Sequence, residues 1–494
     1  RIPFGRLPRR TSLSFVMEFP HNIPAAHQEL LKEISLQAHQ LGQESFLVGG
    51  YVRDFYLHRL QNDVDMDVVT LGSGIALAER VHKSLRSKGM KTSFSFFKQF
   101  GTAQVKTPSV ELEFIGARKE SYRSDSRKPL VEDGSLEDDQ NRRDFTINSL
   151  YWELNKDRLG VLNDPFGGLI DLKKGLIRTP IEPEKTFSDD PLRMMRAVRF
   201  AAQLDFELCP ETKAAIQKMA SRLEIVSKER IRDELNKVVN SPVPSVGFAL
   251  LFSTGLLAQF FPEMVALHGV KERNGLRHKD NFWHTLQVLD NVASVSESLW
   301  LRWAAIMHDI AKPPTQRFED DHGWTFHGHD ALGAKWTPRI FRRLALPMDE
   351  RMRYVQKLVR LHLRPIALVS DHVSDSAVRR LIFEADNDIE DLMTLCRADI
   401  TSKNEFKVRK FMRNFERVEK KIIEVEEKDR IRNWKNPLTG QQIMDALNIP
   451  PSKQIGIIKD HIKEAILNGD IPNEHDAAFS YMMNHHQDWV GQEA

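Results

Sequence analysis

Hydrophobic and polar positions change their period once along this 494-residue chain. In the first third, SFLVGG, DVVTLG, GTAQVKT and VELEFIGA are short, rich in β-forming residues and bounded by Gly, Pro or Ser, which predicts short strands. ALAERVHKSLRSKG interrupts them with apolar residues at helical spacing, so this section reads as α+β. Beyond about Glu184 the strand signals fade. PLRMMRAVRFAAQL, ETKAAIQKMASRL and KERIRDELNKVV all carry apolar residues at helical spacing, and the remainder reads as almost wholly helical, including a highly charged stretch from Lys403 to Lys435. No short-period repeat is visible.

One stretch of the strand-rich section does not behave like an ordinary strand. Residues 48–70 read VGGYVRDFYLHRLQNDVDMDVVT, with Asp63, Asp65 and Asp67 at alternate positions leading into an apolar run. Alternate residues of an extended strand share a face, so these carboxylates would stand within a few ångströms of one another. Like charges that close repel unless a cation lies between them; an exposed acidic edge that discourages aggregation is the bland alternative. Upstream, Gly49 and Gly50 end a strand and let the backbone approach a triphosphate without a Cβ in the way. Arg53 and Asp54 then open a helix, with Arg53 placed to meet phosphate charge. A Gly-Gly alone says little. Followed by an arginine and a DxD strand, it describes a nucleotide held beside Mg²⁺, an ion that takes one or two carboxylates plus substrate phosphates. Two such ions could activate a hydroxyl and neutralise a leaving pyrophosphate.

Composition narrows the setting. A hydrophobic fraction of 41% with 28% charged residues is that of an ordinary water-soluble protein of several domains. The net charge is only +2, from 71 basic and 69 acidic residues, so nucleic-acid contact must come from local clusters. Cys209 and Cys396 are the only cysteines and lie far apart, which excludes a disulfide scaffold and fits a reducing, cytoplasmic setting. No apolar run approaches the roughly 18 residues of a membrane span. RIPFGRLPRRTSLSFV is basic, lacks a targeting pattern and precedes Met17, so residues 1–16 read as a disordered or spurious extension.

Together these motifs resemble the class II tRNA nucleotidyltransferases (CCA-adding enzymes) and the similar bacterial poly(A) polymerases, from about Pro24 onward. The resemblance implies that Asp65 and Asp67 are the catalytic metal ligands. The gap from Arg53 is two residues longer than the family's usual one, which leaves Asp63–Asp65 as a competing register; Asp65 belongs to both. Asp139-Gln-Asn-Arg142-Arg143-Asp144-Phe145-Thr146-Ile147-Asn148 resembles the second motif, whose latter arginine, here Arg143, contacts the nucleotide. Asp164-Pro-Phe-Gly-Gly168 with Asp171-Leu-Lys resembles the third.

DDPLRMMRAVRF, from Asp189 to Phe200, is the sharpest match. Pro191 suits the first turn of a helix after acidic caps. Arg193, Arg196 and Arg199, three apart, form one stripe, with Met and Phe positions on the opposite face as core. Three arginines by themselves are most often a wet surface. Asp190 and Arg193, however, offer an acceptor and a planar donor fork that can pair with a base edge. The motif resembles the family's EDxxR, a protein template that selects C or A, with Asp189 in place of the usual Glu. The resemblance sends Arg196 and Arg199 toward the triphosphate.

A second set of chemistry lies in the helical part. His284, His308-Asp309, His327, His329, His362 and Asp399 follow the spacing of the HD domain, whose His and Asp residues bind divalent metals. For His362 a satisfied core histidine is as good a reading as a ligand. The set could hydrolyse phosphoesters such as 2′,3′-cyclic phosphates or retain a metal that stiffens the body.

The expectation is therefore an α+β nucleotidyltransferase head with a small mixed β-sheet, followed by an all-α neck, an HD-containing body and a tail. The boundaries are 1–23 extension, 24–175 head, 176–265 neck, 266–402 HD body and 403–494 tail. Expected site residues are Asp65 and Asp67 for catalysis and Mg²⁺, and Gly49, Gly50, Arg53, Arg143, Asp190, Arg193, Arg196 and Arg199 for nucleotide. His284, His308, Asp309 and Asp399 would hold a second divalent metal such as Ni²⁺, Mn²⁺ or Mg²⁺. The expected partners are tRNA, ATP and CTP, with no membrane and no obligate protein partner. Alternatives of the same family are poly(A) or A-only addition. A different class would be an HD phosphohydrolase with a nucleotide-binding head.

Overall fold

The computed structural model describes residues 23–60, 64–98, 101–123, 126–368, 374–401, 405–429 and 435–490. The N-terminal extension 1–16 and Asp63 of the competing register lie outside the described residues. Two units are distinguished, Arg1–Val226 and Ser227–Ala494.

The first unit is built on a seven-stranded mixed sheet. Its strands in chain order are β1 (Ser45–Val48), β2 (Val64–Thr70), β3 (Ser93–Phe97), β4 (Thr102–Lys106) and β5 (Val110–Gly116), then, after the hairpin β6 (Arg118–Arg123) and β7 (Ser126–Asp133), β8 (Tyr151–Glu153) and β9 (Leu162–Asn163). They lie side by side as β3-β4-β5-β2-β1-β8-β9. β2 and β5 run parallel, and every other neighbouring pair is antiparallel. The period-2 pattern read in the sequence sorts the two faces. Met66, Val68, Leu112, Phe114, Ala103 and Val105 are buried on one face, where helix α3 (Gly74–Ser87) packs on β4 and β5 and helix α1 (Ala25–Gln40) packs on α3. The other face carries Asp65 and Asp67, and farther along it the cluster Phe46, Val48, Val69 and Tyr151.

All four strands and the helix expected from this region are present. β3, β6, β7, β8 and β9 were not expected; β8 and β9, of three and two residues, are too short to show a period. Helix α2 (Gly50–Tyr56) starts three residues before the Arg53-Asp54 pair predicted to open it, directly after Gly49. Helices α4 (Leu136–Asn141), α5 (Gly168–Lys174), α6 (Pro183–Asp189) and α7 (Leu192–Leu204) complete the part that bears the motifs.

The second unit is helical, with Asn281–Ala293 packed on Leu299–Met307 and Ile389–Ala398, and His329–Arg343 packed on Glu350–Leu361. The expectation of an almost wholly helical remainder needs one correction: short hairpins occur at Glu272–Arg273 with Leu276–Arg277, and at Arg317–Glu319 with Gly323–Thr325. Among the described residues no helix is long and apolar enough to cross a membrane.

Candidate functional site

β2 pairs in parallel with β5 so that Asp65 lies opposite Glu111 and Asp67 opposite Glu113. All four side chains therefore share one sheet face, two residues apart along each strand. Asp65 is exposed and Asp67 half-buried. Burial pushes the Asp67 carboxyl up; Arg143 opposes that and Asp65 adds to it. A carboxylate desolvated beside another carboxylate is the environment a divalent cation relieves. Gly49 leaves the space for it. Its φ of 75° belongs to glycine, and a Cβ there would sit 3.4 Å from Asp67 Oδ2 and 3.7 Å from Arg143 Nη1. Glu111 pairs with Lys106 at 2.8 Å. Neither glutamate was singled out in the sequence, although the alternation in VELEF carries the signal.

Arg143 is held in place by a buried acid. Its Nε donates to Asp139 Oδ2 at 3.1 Å and to the Tyr151 hydroxyl at 2.6 Å, and that hydroxyl donates to Asp139 at 2.9 Å. Burial works to raise the Asp139 carboxyl, but Arg143 and Arg142 hold it below its ordinary value. The paired arginine is correspondingly raised against its own burial. Arg53 donates through Nε and Nη2 to both oxygens of Asp54 at 2.9 Å and through Nη1 to Asn148 at 2.8 Å. The third motif is the buttress beneath: Asp164 accepts the backbone N–H groups of Gly168 and Leu169, and Asp171 accepts the Thr146 hydroxyl at 2.7 Å. Gly168 is required there, since a Cβ would fall 2.3 Å from the Thr146 carbonyl oxygen.

α6 ends at Asp189, and Asp190 accepts the Leu192 N–H at 3.1 Å just ahead of α7, whose N-cap position is taken by Pro191. The arginine stripe is not a wet surface. Arg193 and Arg199 are buried and Arg196 half-buried. Arg193 donates to the backbone carbonyls of Thr186, at 3.1 Å, and Arg142. Arg196 donates to Asp144 through Nε at 2.8 Å and Nη2 at 2.5 Å. Asp144 is buried, which works to raise it, yet Arg196 and the Asn148 amide hold it at about 2. Met194 and Met195 are core as expected, but Phe200 is not on the opposite face. Its ring lies under three guanidiniums, with Arg53, Arg196 and Arg199 at 5.1, 5.5 and 4.0 Å from the centroid. A π-face spaces the cations that its neighbours bring together. Gly49, Gly50, Arg53, Asp65, Asp67, Arg143 and the α7 arginines thus all belong to one unit; a Cβ on Gly49 would meet Asp67 and Arg143, and Arg53 contacts Phe200 of α7.

The second unit gathers the HD residues. His284 Nε2 lies 2.8 Å from Asp399 Oδ1 and 3.5 Å from Asp309 Oδ2. His308 Nε2 lies 3.2 Å from Asp309 Oδ2. His329 and His362 reach the other oxygen of Asp309 at 3.3 and 3.9 Å. Their two Nε2 atoms are 3.3 Å apart, a distance at which two lone pairs repel unless a proton or metal lies between them. Two metal-competent groups therefore share Asp309: His284 with His308, and His329 with His362. Buried His308 Nε2 makes ion-pair contact with Asp309 but no hydrogen bond, as a ligand atom would. Lys312 Nζ contacts Asp309 at 2.5 Å. Burial would raise Asp309, but His308 and Lys312 hold it well below its ordinary value. His362, for which the sequence supports a core and a ligand reading equally, stands in the cluster, and burial lowers it to about 4. His327 does not join; it is exposed beside Glu319.

Three family models match the chain: the Poly A polymerase head domain over residues 45–178, the probable RNA and SrmB-binding site of polymerase A over 205–267, and the HD domain over 281–403. The A-adding tRNA nucleotidyltransferase of Deinococcus radiodurans is 33% identical over 356 residues, covering 69% of this chain and 78% of its own. The chain belongs to the tRNA nucleotidyltransferase family. The multifunctional CCA protein of Nitrosococcus oceani, another relative, is 33% identical over 62% of this chain and 71% of its own. The crystal structure of the Bacillus stearothermophilus CCA-adding enzyme in complex with CTP superposes with a TM-score of 0.62, covering 94% of this chain and 99% of that one at 24% identity, which establishes a common fold.

Proposed function

We propose that this enzyme adds CMP and AMP, taken from CTP and ATP, to the 3′ end of tRNA without a nucleic-acid template. The observation that carries the reading is the Asp65–Asp67 pair on one open sheet face, under a glycine that keeps the approach clear and beside Arg143. A binding module has no use for two repelling carboxylates; a transferase does.

The residues fit Mg²⁺. Asp65 and Asp67 would hold it, and it would supply charge neutralisation for the attacking hydroxyl and the departing pyrophosphate. The chain's own part is positioning. Gly49 and the α2 N-terminus admit phosphate close to the backbone. Arg53, Arg143, Arg196 and Arg199 supply the positive field, three of them set around Phe200. Asp190 and Arg193 would read the base edge, Arg193 anchored by its bonds to Thr186 and Arg142. The division into head 24–175, neck 176–265, HD body 266–402 and tail 403–494 belongs to this proposal, with tRNA held through backbone and shape along the helical part.

A-only addition is the reading favoured by one observation, the name of the Deinococcus radiodurans relative. Incubating the protein with tRNA lacking CCA, tRNA ending in CC and an unrelated RNA, each with labelled CTP or ATP, separates the cases. The proposal expects CMP then AMP on the first acceptor and AMP alone on the second. AMP addition only, on tRNA ending in CC, would make it an A-adding enzyme. Extension of the unrelated RNA with ATP would make it a poly(A) polymerase.

A further inference from the structure

The histidines of the HD cluster are all held at Nδ1, but not alike. His308, His329 and His362 each set Nδ1 2.7 Å from the backbone carbonyl three residues earlier, on Ala305, Phe326 and Val359. A carbonyl only accepts, so these three rings must carry a proton on Nδ1 and present Nε2 to Asp309 and its surroundings. His284 differs: its Nδ1 meets a hydroxyl, Thr401 Oγ1, at 2.9 Å. A hydroxyl donates or accepts. Lys279 Nζ donates to the same oxygen at 3.4 Å, using one lone pair and leaving the O–H and the second lone pair for His284. On its far side His284 Nε2 is 2.8 Å from Asp399 Oδ1, the distance of an N–H donated to a carboxylate.

We propose that Thr401 is a positioning residue that lets His284 hold either of two neutral tautomers. When Thr401 donates, the ring proton sits on Nε2 and bonds Asp399, so that hydrogen bond takes up Nε2. When Thr401 accepts, the proton sits on Nδ1 and Nε2 is a ligand. The ring carries one N–H in both forms, and the proton passes between its nitrogens by way of solvent. Water has an approach: Thr401, Lys279, Ile366, Phe411, Phe415 and Asp399 line a pocket of about 190 Å³ at this edge of the cluster. His284 is thus the member of the set whose ligand nitrogen can pass between donating to Asp399 and offering a lone pair. This rests on the reading of the cluster as a divalent-metal site.

The test is Mn²⁺ binding to the full chain, measured by calorimetry in a parent bearing Asp65→Ala and Asp67→Ala so that the head carboxylates do not contribute. Thr401→Val should weaken binding roughly 10–100-fold, the usual effect of losing a group that orients a metal-bound histidine. Thr401→Ala repeats the test with a smaller side chain. Thr401→Ser, which keeps the hydroxyl, should bind like the parent, a rescue that a merely space-filling threonine would not predict. Equal affinity of parent, Val and Ala variants would overturn the role of Thr401 while leaving the metal site standing. No Mn²⁺ bound by the parent would overturn the metal reading and the proposal with it.

Discussion

Gly49 lies directly over Asp67: a β-carbon at residue 49 would stand 3.4 Å from Asp67 Oδ2, with Arg143 Nη1 at 3.7 Å. The glycine motif, the carboxylate pair and the second-motif arginine therefore meet at one point, although 94 residues separate Gly49 from Arg143 in the chain (143 − 49). Gly49→Ala should cost about 1–3 kcal/mol in backbone strain, since its φ is 75° and its ψ −131°. It should also intrude where phosphate and metal are expected. We predict a fall in kcat/KM of at least about tenfold, equal for CTP and ATP because no base contact is touched. Steady-state kinetics with each triphosphate checks this, and loss of one nucleotide alone would contradict it.

Asp144 ties the second motif to α7. With its carboxyl held at about 2 by Arg196 and Asn148 against its burial, it is depressed relative to the unfolded chain. The stability it contributes is present above the unfolded value near 4 and is lost as pH falls toward 2. Its size is on the order of 2 kcal/mol. Asp144→Asn should be less stable than wild type by about that amount at pH 7, with the gap closing between about pH 5 and pH 2. Urea unfolding at pH 7 and at pH 3 measures it; a gap that stays constant with pH would mean the carboxylate charge is not the source.

Much of this was legible in the sequence because two short periods carry it. Alternation predicted β2 and β5 and put Asp65 and Asp67 on one face; a spacing of three predicted α7 with its arginines. The misplacement of Phe200 has a physical cause. Helical periodicity tells which side a residue faces but not whether that side is covered, and the arginine side of α7 is buried by residues far away in sequence, such as Asp144 and Arg142. Glu111 and Glu113 were overlooked because only the parallel pairing of β2 with β5 sets them beside the aspartates. His327 was grouped with His329 because both lie near the HD spacing, yet one begins a helix that faces Asp309 and the other lies in the exposed loop before it.

Base selection and phosphate binding should separate by residue. Asp190→Ala should lower the preference for CTP and ATP over UTP and GTP by about 1–3 kcal/mol, by analogy with base-edge contacts. Arg193→Ala should do the same and also destabilise the fold by about 1.5–3 kcal/mol, because a buried and a part-buried carbonyl lose a charged donor. Arg53→Ala and Arg143→Ala should weaken all four triphosphates alike. The measurement is kcat/KM for each triphosphate; unchanged ratios in the Asp190 variant would remove it from base reading.

The HD cluster should be separable from nucleotide addition. His308→Ala combined with Asp309→Ala should abolish Mn²⁺ binding in the second unit and leave CMP and AMP incorporation within about twofold of wild type, as expected for independent sites. Loss of incorporation in a folded double variant would show that the two sites are coupled.

The central claim is that Asp65 and Asp67 carry nucleotidyl transfer to tRNA. Single-turnover incorporation of labelled CMP and AMP, with tRNA binding followed in parallel, tests it in Asp67→Ala. Removing a metal carboxylate should cost at least about 4 kcal/mol of transition-state stabilisation, a fall of roughly 10³-fold for both nucleotides. Binding of tRNA should stay near normal, since its affinity comes from basic surface elsewhere. Near-normal incorporation by the Asp67 variant would contradict the account and move the catalytic pair to Asp63 and Asp65.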